Sequence, residues 1–160
     1  MSLIYALSRP LAALALGSGL SLSAWAQVVI NDAWVRPTVP GQKATGAFMK
    51  LSSREGAQLV AVQSPVAGVT EIHEMKMDKD VMKMAAVPTL ALPAGKTVEL
   101  KPGGFHVMLM DLKAPLSANS TVPLTLTFRN AQGVQSQQDI QVPVRMPTST
   151  QGSGAMQHKH

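Results

Sequence analysis

Apolar and polar positions alternate over short distances through most of the chain, and beyond the first 26 residues no long helical period appears. In a strand, successive side chains point to opposite faces, so this alternation predicts short strands. They fall at 33–37 (AWVRP), 46–52 (GAFMKLS), 58–64 (QLVAVQS), 69–77 (VTEIHEMKM), 80–87 (DVMKMAAV), 96–100 (KTVEL), 106–112 (HVMLMDL), 122–130 (VPLTLTFRN) and 136–144 (SQQDIQVPV). Turn residues punctuate them: PG at 40–41, PAG at 93–95, PGG at 102–104 and NAQG at 130–133. Many short strands at close spacing predict an antiparallel sandwich or barrel.

Three of these strands share a pattern. In 72–77, His73, Met75 and Met77 fall on one face and Ile72, Glu74 and Lys76 on the other. In 81–84, Met82 and Met84 share a face. In 106–111, His106, Met108 and Met110 lie opposite Val107, Leu109 and Asp111. Val107 and Leu109 suit a core, so the His/Met side of that strand is expected away from it, at an end or rim of the sandwich. For any single methionine, packing is the simpler explanation, because a flexible thioether fills core gaps well. The histidines shift the balance: the chain has four, and two of them open the pattern His-x-Met-x-Met.

Composition narrows the chemistry. The 160 residues suit one domain, and none is cysteine. Residues 1–26 read as an export signal: Arg9, then the apolar run LAALALGSGLSL (11–22), then AWA (24–26), the small-x-small form that signal peptidase cuts. The apolar run is too short to span a bilayer, and no later one follows. The expected location is therefore the bacterial periplasm, without a membrane span, as a monomer. Residues 27–145 form the expected domain. Residues 146–160, from MPTST through QGSG to AMQHKH, read as a flexible tail. The net charge of +5 raises nucleic-acid binding. The positive residues are scattered, however, and after residue 26 the aromatics are only Trp34, Phe48, Phe105 and Phe128, too few and too dispersed for a stacking platform.

A metal read from these residues is soft. Thioether sulfur is neutral and suits Cu(I) far better than a hard cation, and imidazole is a borderline ligand that copper accepts. Zinc favours Cys, His or carboxylate, and calcium and magnesium favour oxygen. A two-His, two-Met set binds Cu(I) without thiols, which an oxidising compartment would convert to disulfides. A blue-copper electron carrier needs a cysteine thiolate, absent here. HEMKM lacks the second His of a zinc-hydrolase motif, and no G-x-S-x-G or P-loop pattern occurs. At the C-terminus, His158 and His160 with the terminal carboxylate form a harder set that suits Cu(II).

At these residues the chain resembles the periplasmic copper chaperone family PCu(A)C, whose motif is His, ten residues, Met, twenty-one residues, then His-x-Met. His73 is followed by ten residues and Met84, and twenty-one residues later come His106, Val107 and Met108. AGKTVELKPGGFHVMLMDL (94–112) and NDAWVRP (31–37) also look like this family, and the resemblance covers roughly residues 28 to 145. It implies a cupredoxin-like (immunoglobulin-like) antiparallel β-sandwich with Greek-key connections. It further implies Cu(I) held by His73, Met84, His106 and Met108, with Met75, Met77 and Met82 shielding or packing. Finally, it implies delivery toward the copper-A site of cytochrome c oxidase, the recipient being its subunit II or a Sco-like protein. Two other roles stay open: a copper-scavenging or resistance protein without a dedicated recipient, and a metal-free interaction module.

Overall fold

The computed structural model describes residues 28–147. The export signal expected over 1–26 and the tail histidines His158 and His160 lie outside the described residues. Ten strands follow in order: β1 (Val28–Val35), β2 (Ala44–Ser53), β3 (Ala57–Gln63), β4 (Ala67–Asp78), β5 (Val81–Ala86), β6 (Leu90–Leu92), β7 (Thr97–Leu100), β8 (Phe105–Leu112), β9 (Thr121–Asn130) and β10 (Gln135–Pro143). Among the described residues there is no helix, and so none long and apolar enough to cross a membrane.

The strands form two sheets, a sandwich. One runs β1-β2-β8-β4-β5, with β7 also paired to β2; the other runs β10-β9-β3-β6. Every strand pairing is antiparallel. All nine expected strands are present, and two features differ. β1 begins at Val28 because it continues through a bulge: the register with β2 shifts between Asn31 and Trp34, and Asp32 sits at φ 51°. That irregularity interrupts the alternation at the polar pair Asn31–Asp32 and hides the first half of the strand. The other is β6, whose three residues are too few to show a period.

Alternation places the core. β9 turns Val122, Leu124, Leu126 and Phe128 inward, and β8 answers with Val107 and Leu109, joined by Leu112 beyond Asp111, whose φ of 52° breaks the alternation. β2 contributes Ala47, Met49 and Leu51. Each of these side chains larger than alanine, fully removed from water, stabilises the fold by about 1.5–3 kcal/mol before entropy is counted. The period of two has a corollary. Because Val107 and Leu109 face in, His106 and Met108 face out; because Ile72 faces in, Glu71 and His73 face out. The His/Met positions therefore occupy the outer face of the larger sheet rather than its rim. β8 lies between β2 and β4, hydrogen-bonded on both sides, so this face rests on an interior strand.

One part of the sheet outruns the sandwich. Pairing of β4 with β8 ends at Glu74↔Phe105, but β4 and β5 stay paired to Asp78↔Val81. The two-residue loop Lys79–Asp80 has φ of 48° and 66°, the positive values of a type I′ hairpin turn. The β4–β5 hairpin thus forms an arm extending past β8.

Candidate metal centre

Cross-strand register assembles the site. His73 of β4 sits directly opposite His106 of β8, and their ring centroids are 5.9 Å apart. Two register positions along, Met108 lies opposite Glu71. On the other side of β4, Met84 of β5 lies opposite Met75, on the face that carries His73. All four residues expected as ligands therefore share one face over three adjacent strands. Residues 33 positions apart in sequence become neighbours because strands β4 and β8 are laid side by side.

The histidines are held with one nitrogen committed and one available. His106 Nδ1 lies 2.9 Å from the Gly104 carbonyl oxygen, which can only accept, so Nδ1–H donates. In neutral imidazole this leaves the lone pair on Nε2, and Nε2 lies 3.3 Å from Met84 Sδ. Two soft-to-borderline donors thus meet with nothing between them. His73 is arranged in the mirrored sense. Its Nε2–H donates to Glu71 Oε2 at 2.8 Å, and its Nδ1 is buried with no hydrogen-bond partner. A buried acceptor without a donor costs about 1–3 kcal/mol. A soft cation at Nδ1 would offset that cost. A carbonyl or carboxylate fixing the tautomer of a ligating histidine is the usual outer support of a metal site.

His73 and His106 are 8% and 6% exposed, while Met84 is 50% exposed. The site is therefore sheltered at its imidazoles and open at one thioether, an arrangement that lets a metal be approached from solvent. Among the described residues, no group of three or more His, Cys, Asp or Glu is arranged to hold a metal ion. A metal on this face would need sulfur to complete its ligand set. A groove of about 990 Å³ opens at β3 and the start of β4. It reaches the flank of the site at Glu71, Ile72 and Ala86, and neither histidine lines it.

An aromatic wall closes the β2 side. Phe48 is 6.3 Å from the His106 ring and 4.5 Å from Trp34, centroid to centroid. Arg36 lies over Phe48 and Arg145 over Trp34. Phe48 fits because Gly46, opposite Met108, has no side chain: a Cβ there would stand 2.8 Å from Phe48 Cζ. Gly46→Ala gains about 0.5–1 kcal/mol from reduced chain entropy. The overpacking against a ring caught between Trp34 and His106 costs about 1–3 kcal/mol. The expected net is destabilisation, read as a lower urea midpoint at unchanged slope; an unchanged or raised midpoint would show that the ring yields freely.

Glu71 is a site residue that the sequence reading missed. It stands two positions before His73, hence on the same face of β4, and the alternation could have found it had the strand been followed back by one residue. Met75, Met77 and Met82, expected as shield or packing, divide: Met75 is half-buried, while Met77 and Met82 are 65% and 46% exposed and pack into no core.

Known proteins fit this picture. A protein of Leifsonia xyli, named "Putative lipoprotein Lxx21020", is 33% identical over 119 residues, covering 74% of this chain and 69% of the relative. The solution structure of Cu(I)-DR1885 from Deinococcus radiodurans superposes with a TM-score of 0.56 at 30% identity, over 78% of this chain and 83% of that one. The apo PCuAC domain of PmoF1 superposes with a TM-score of 0.60 at 22% identity, over 75% and 94%, and so shares the fold. The β-sandwich is thus that of PCuAC domains. The LpqE-like family, described as "Putative lipoprotein LpqE-like", matches residues 28–144, a span that takes in all ten strands and the whole His/Met face, and the chain belongs to that family.

Proposed function

We propose that this protein is an exported, non-enzymatic copper chaperone that binds one Cu(I) through His73, Met84, His106 and Met108 and passes it to a recipient. The observation that carries the reading is the pair of imidazoles at the centre of the face. Each has one nitrogen fixed by a hydrogen bond, and the other is free: Nδ1 of His73 is buried and unpartnered, and Nε2 of His106 faces Met84 Sδ at 3.3 Å. The Cu(I) form of DR1885, of the same fold, supports the choice of metal. Neutral thioethers favour Cu(I) and keep the ligand set uncharged, so the ion can be surrendered to a stronger site. The chemistry suits a thiolate-bearing acceptor, and we place delivery toward the copper-A site of cytochrome c oxidase, through its subunit II or a Sco-like protein.

Anaerobic Cu(I) titration against a competing chelator tests the site. One equivalent is expected to bind tightly, and zinc at about tenfold excess should not displace it, because thioethers add little for a borderline dication. Absence of a tight equivalent, or displacement by zinc, would overturn the reading. Loss of oxidase activity under copper scarcity on deletion tests the recipient; mere sensitivity to excess copper would indicate a scavenger.

The tail adds a separate expectation. His158 and His160 make a Cu(II)-suited pair. Tethered near the Cu(I) site, such a set acts at an effective concentration of about millimolar. A chain ending at Arg145 keeps all ten strands and the Arg145–Trp34 contact. It is expected to keep Cu(I) binding and lose Cu(II) binding, which isothermal titration would resolve. Cu(II) binding that survives the truncation removes the tail from the account.

A further inference from the structure

The β4–β5 arm is sorted by face. On one side lie Glu74, Lys76, Asp78, Val81 and Lys83, with Lys76 paired to Glu74 at 3.0 Å and Lys83 to Asp78. On the other lie only Met75, Met77, Met82 and Met84 between the turn and the histidines. Opposite residues share a face, so the thioethers form rungs: Met77 with Met82 near the tip, Met75 with Met84 next, then His73 with His106. Packing does not account for them. Met77, Met82 and Met84 are 65%, 46% and 50% exposed, and β8 stops short of the arm, so no third strand lies beside it. Exposed large apolar side chains are a cost on a surface otherwise free to be polar, and the opposite face of the same arm is mostly charged.

We propose that the methionine face of this arm is a second, weaker Cu(I) station, through which the ion reaches and leaves the His73–His106 site. The inference rests on the copper-binding reading of that site and adds its route. Successive rungs are two residues apart, about 7 Å along the strand, a gap that long, flexible methionine side chains reach across. Each step along the arm forms one copper–sulfur bond as another breaks, and the last step exchanges copper–sulfur bonds for bonds to imidazole nitrogen. Copper stays Cu(I), and no proton or electron is exchanged. Two neutral thioethers at the tip hold the ion more weakly than a set with two imidazoles, so the gradient runs inward for loading. A recipient that removes the ion from the tip draws it back out. Met84 belongs to both stations, which explains why the one exposed ligand of the inner site lies on the arm.

The test is the double variant Met77→Leu/Met82→Leu in the full chain. Leucine keeps the apolar bulk and removes the sulfur, at exposed positions where folding does not depend on them. Cu(I) transfer from the loaded protein to a chelator is expected to slow about 10-fold, equivalent to about 1.4 kcal/mol in barrier, with equilibrium affinity changed less than about twofold. Affinity is the ratio of loading and release, and removal of a path slows both alike. In parallel, methionine methyl NMR with Ag(I), a soft diamagnetic stand-in, should show the Met84 and Met108 methyls shifting with the first equivalent and those of Met77 and Met82 with the second. Transfer at the wild-type rate, or Met77 and Met82 methyls unmoved by a second equivalent, overturns the route while leaving the inner site intact. If the Met84 and Met108 methyls fail to respond to the first equivalent, the inner-site reading fails and the route with it.

Discussion

His106→Ala is expected to lower Cu(I) affinity by more than about 100-fold, beyond the 10–100-fold typical of losing an outer-shell partner. Three features converge on this residue. Its Nδ1–H is tied to the Gly104 carbonyl, which fixes the tautomer; its Nε2 already faces Met84 Sδ; and its ring stands opposite His73. The residue lies on the outer face of the sheet, so its removal leaves the Val107–Leu109 core contacts in place. Competitive chelator titration measures the loss, and circular dichroism should show an intact sandwich. Met110→Leu is the matched control, four residues further along β8 on the same face but outside the ligand set, and should bind as the wild type does. Comparable affinity in H106A and M110L would remove His106 from the site.

Glu71→Ala is expected to weaken Cu(I) binding about 10-fold, the lower end of the outer-shell range. Glu71 accepts the Nε2–H of His73 at 2.8 Å and so leaves the lone pair on the buried, unpartnered Nδ1. The lower figure is chosen because its side chain is 45% exposed, so solvent can partly replace it. Glu71→Gln keeps an acceptor at the same place and should recover most of the affinity. A purely electrostatic role for the carboxylate would instead make E71Q as weak as E71A, and an E71A protein with wild-type affinity would remove Glu71 from the design.

Much of this was legible in the chain. The alternation of Val107 and Leu109 with His106 and Met108 is a property of four consecutive residues, and a strand turns alternate side chains to opposite faces whatever its partners. The spacing of His73, Met84, His106 and Met108 identified the family resemblance without any knowledge of the pairing. Nine strands were readable because each is long enough to show a period. β6 was not, having three residues, and the first half of β1 was not, because the bulge at Asp32 breaks the rule on which the reading depends.

What remained was decided by pairing, which is non-local. A period of two says which residues share a face but not which face of which sheet, nor which strand lies alongside. Only the antiparallel register of β4 against β8 puts His73 opposite His106 and Glu71 beside Met108, and only the end of β8 near Phe105 leaves the β4–β5 arm without a third strand. That single boundary leaves three methionines of the arm exposed and the fourth, Met75, half-buried, a row of thioethers rather than a packed layer. The residue types alone named a soft metal, because ligand softness is a property of atoms. The orphaned Nδ1 of His73, the tautomer of His106 and the exposure of Met84 depend on atoms brought together from distant parts of the chain, and no local pattern encodes them.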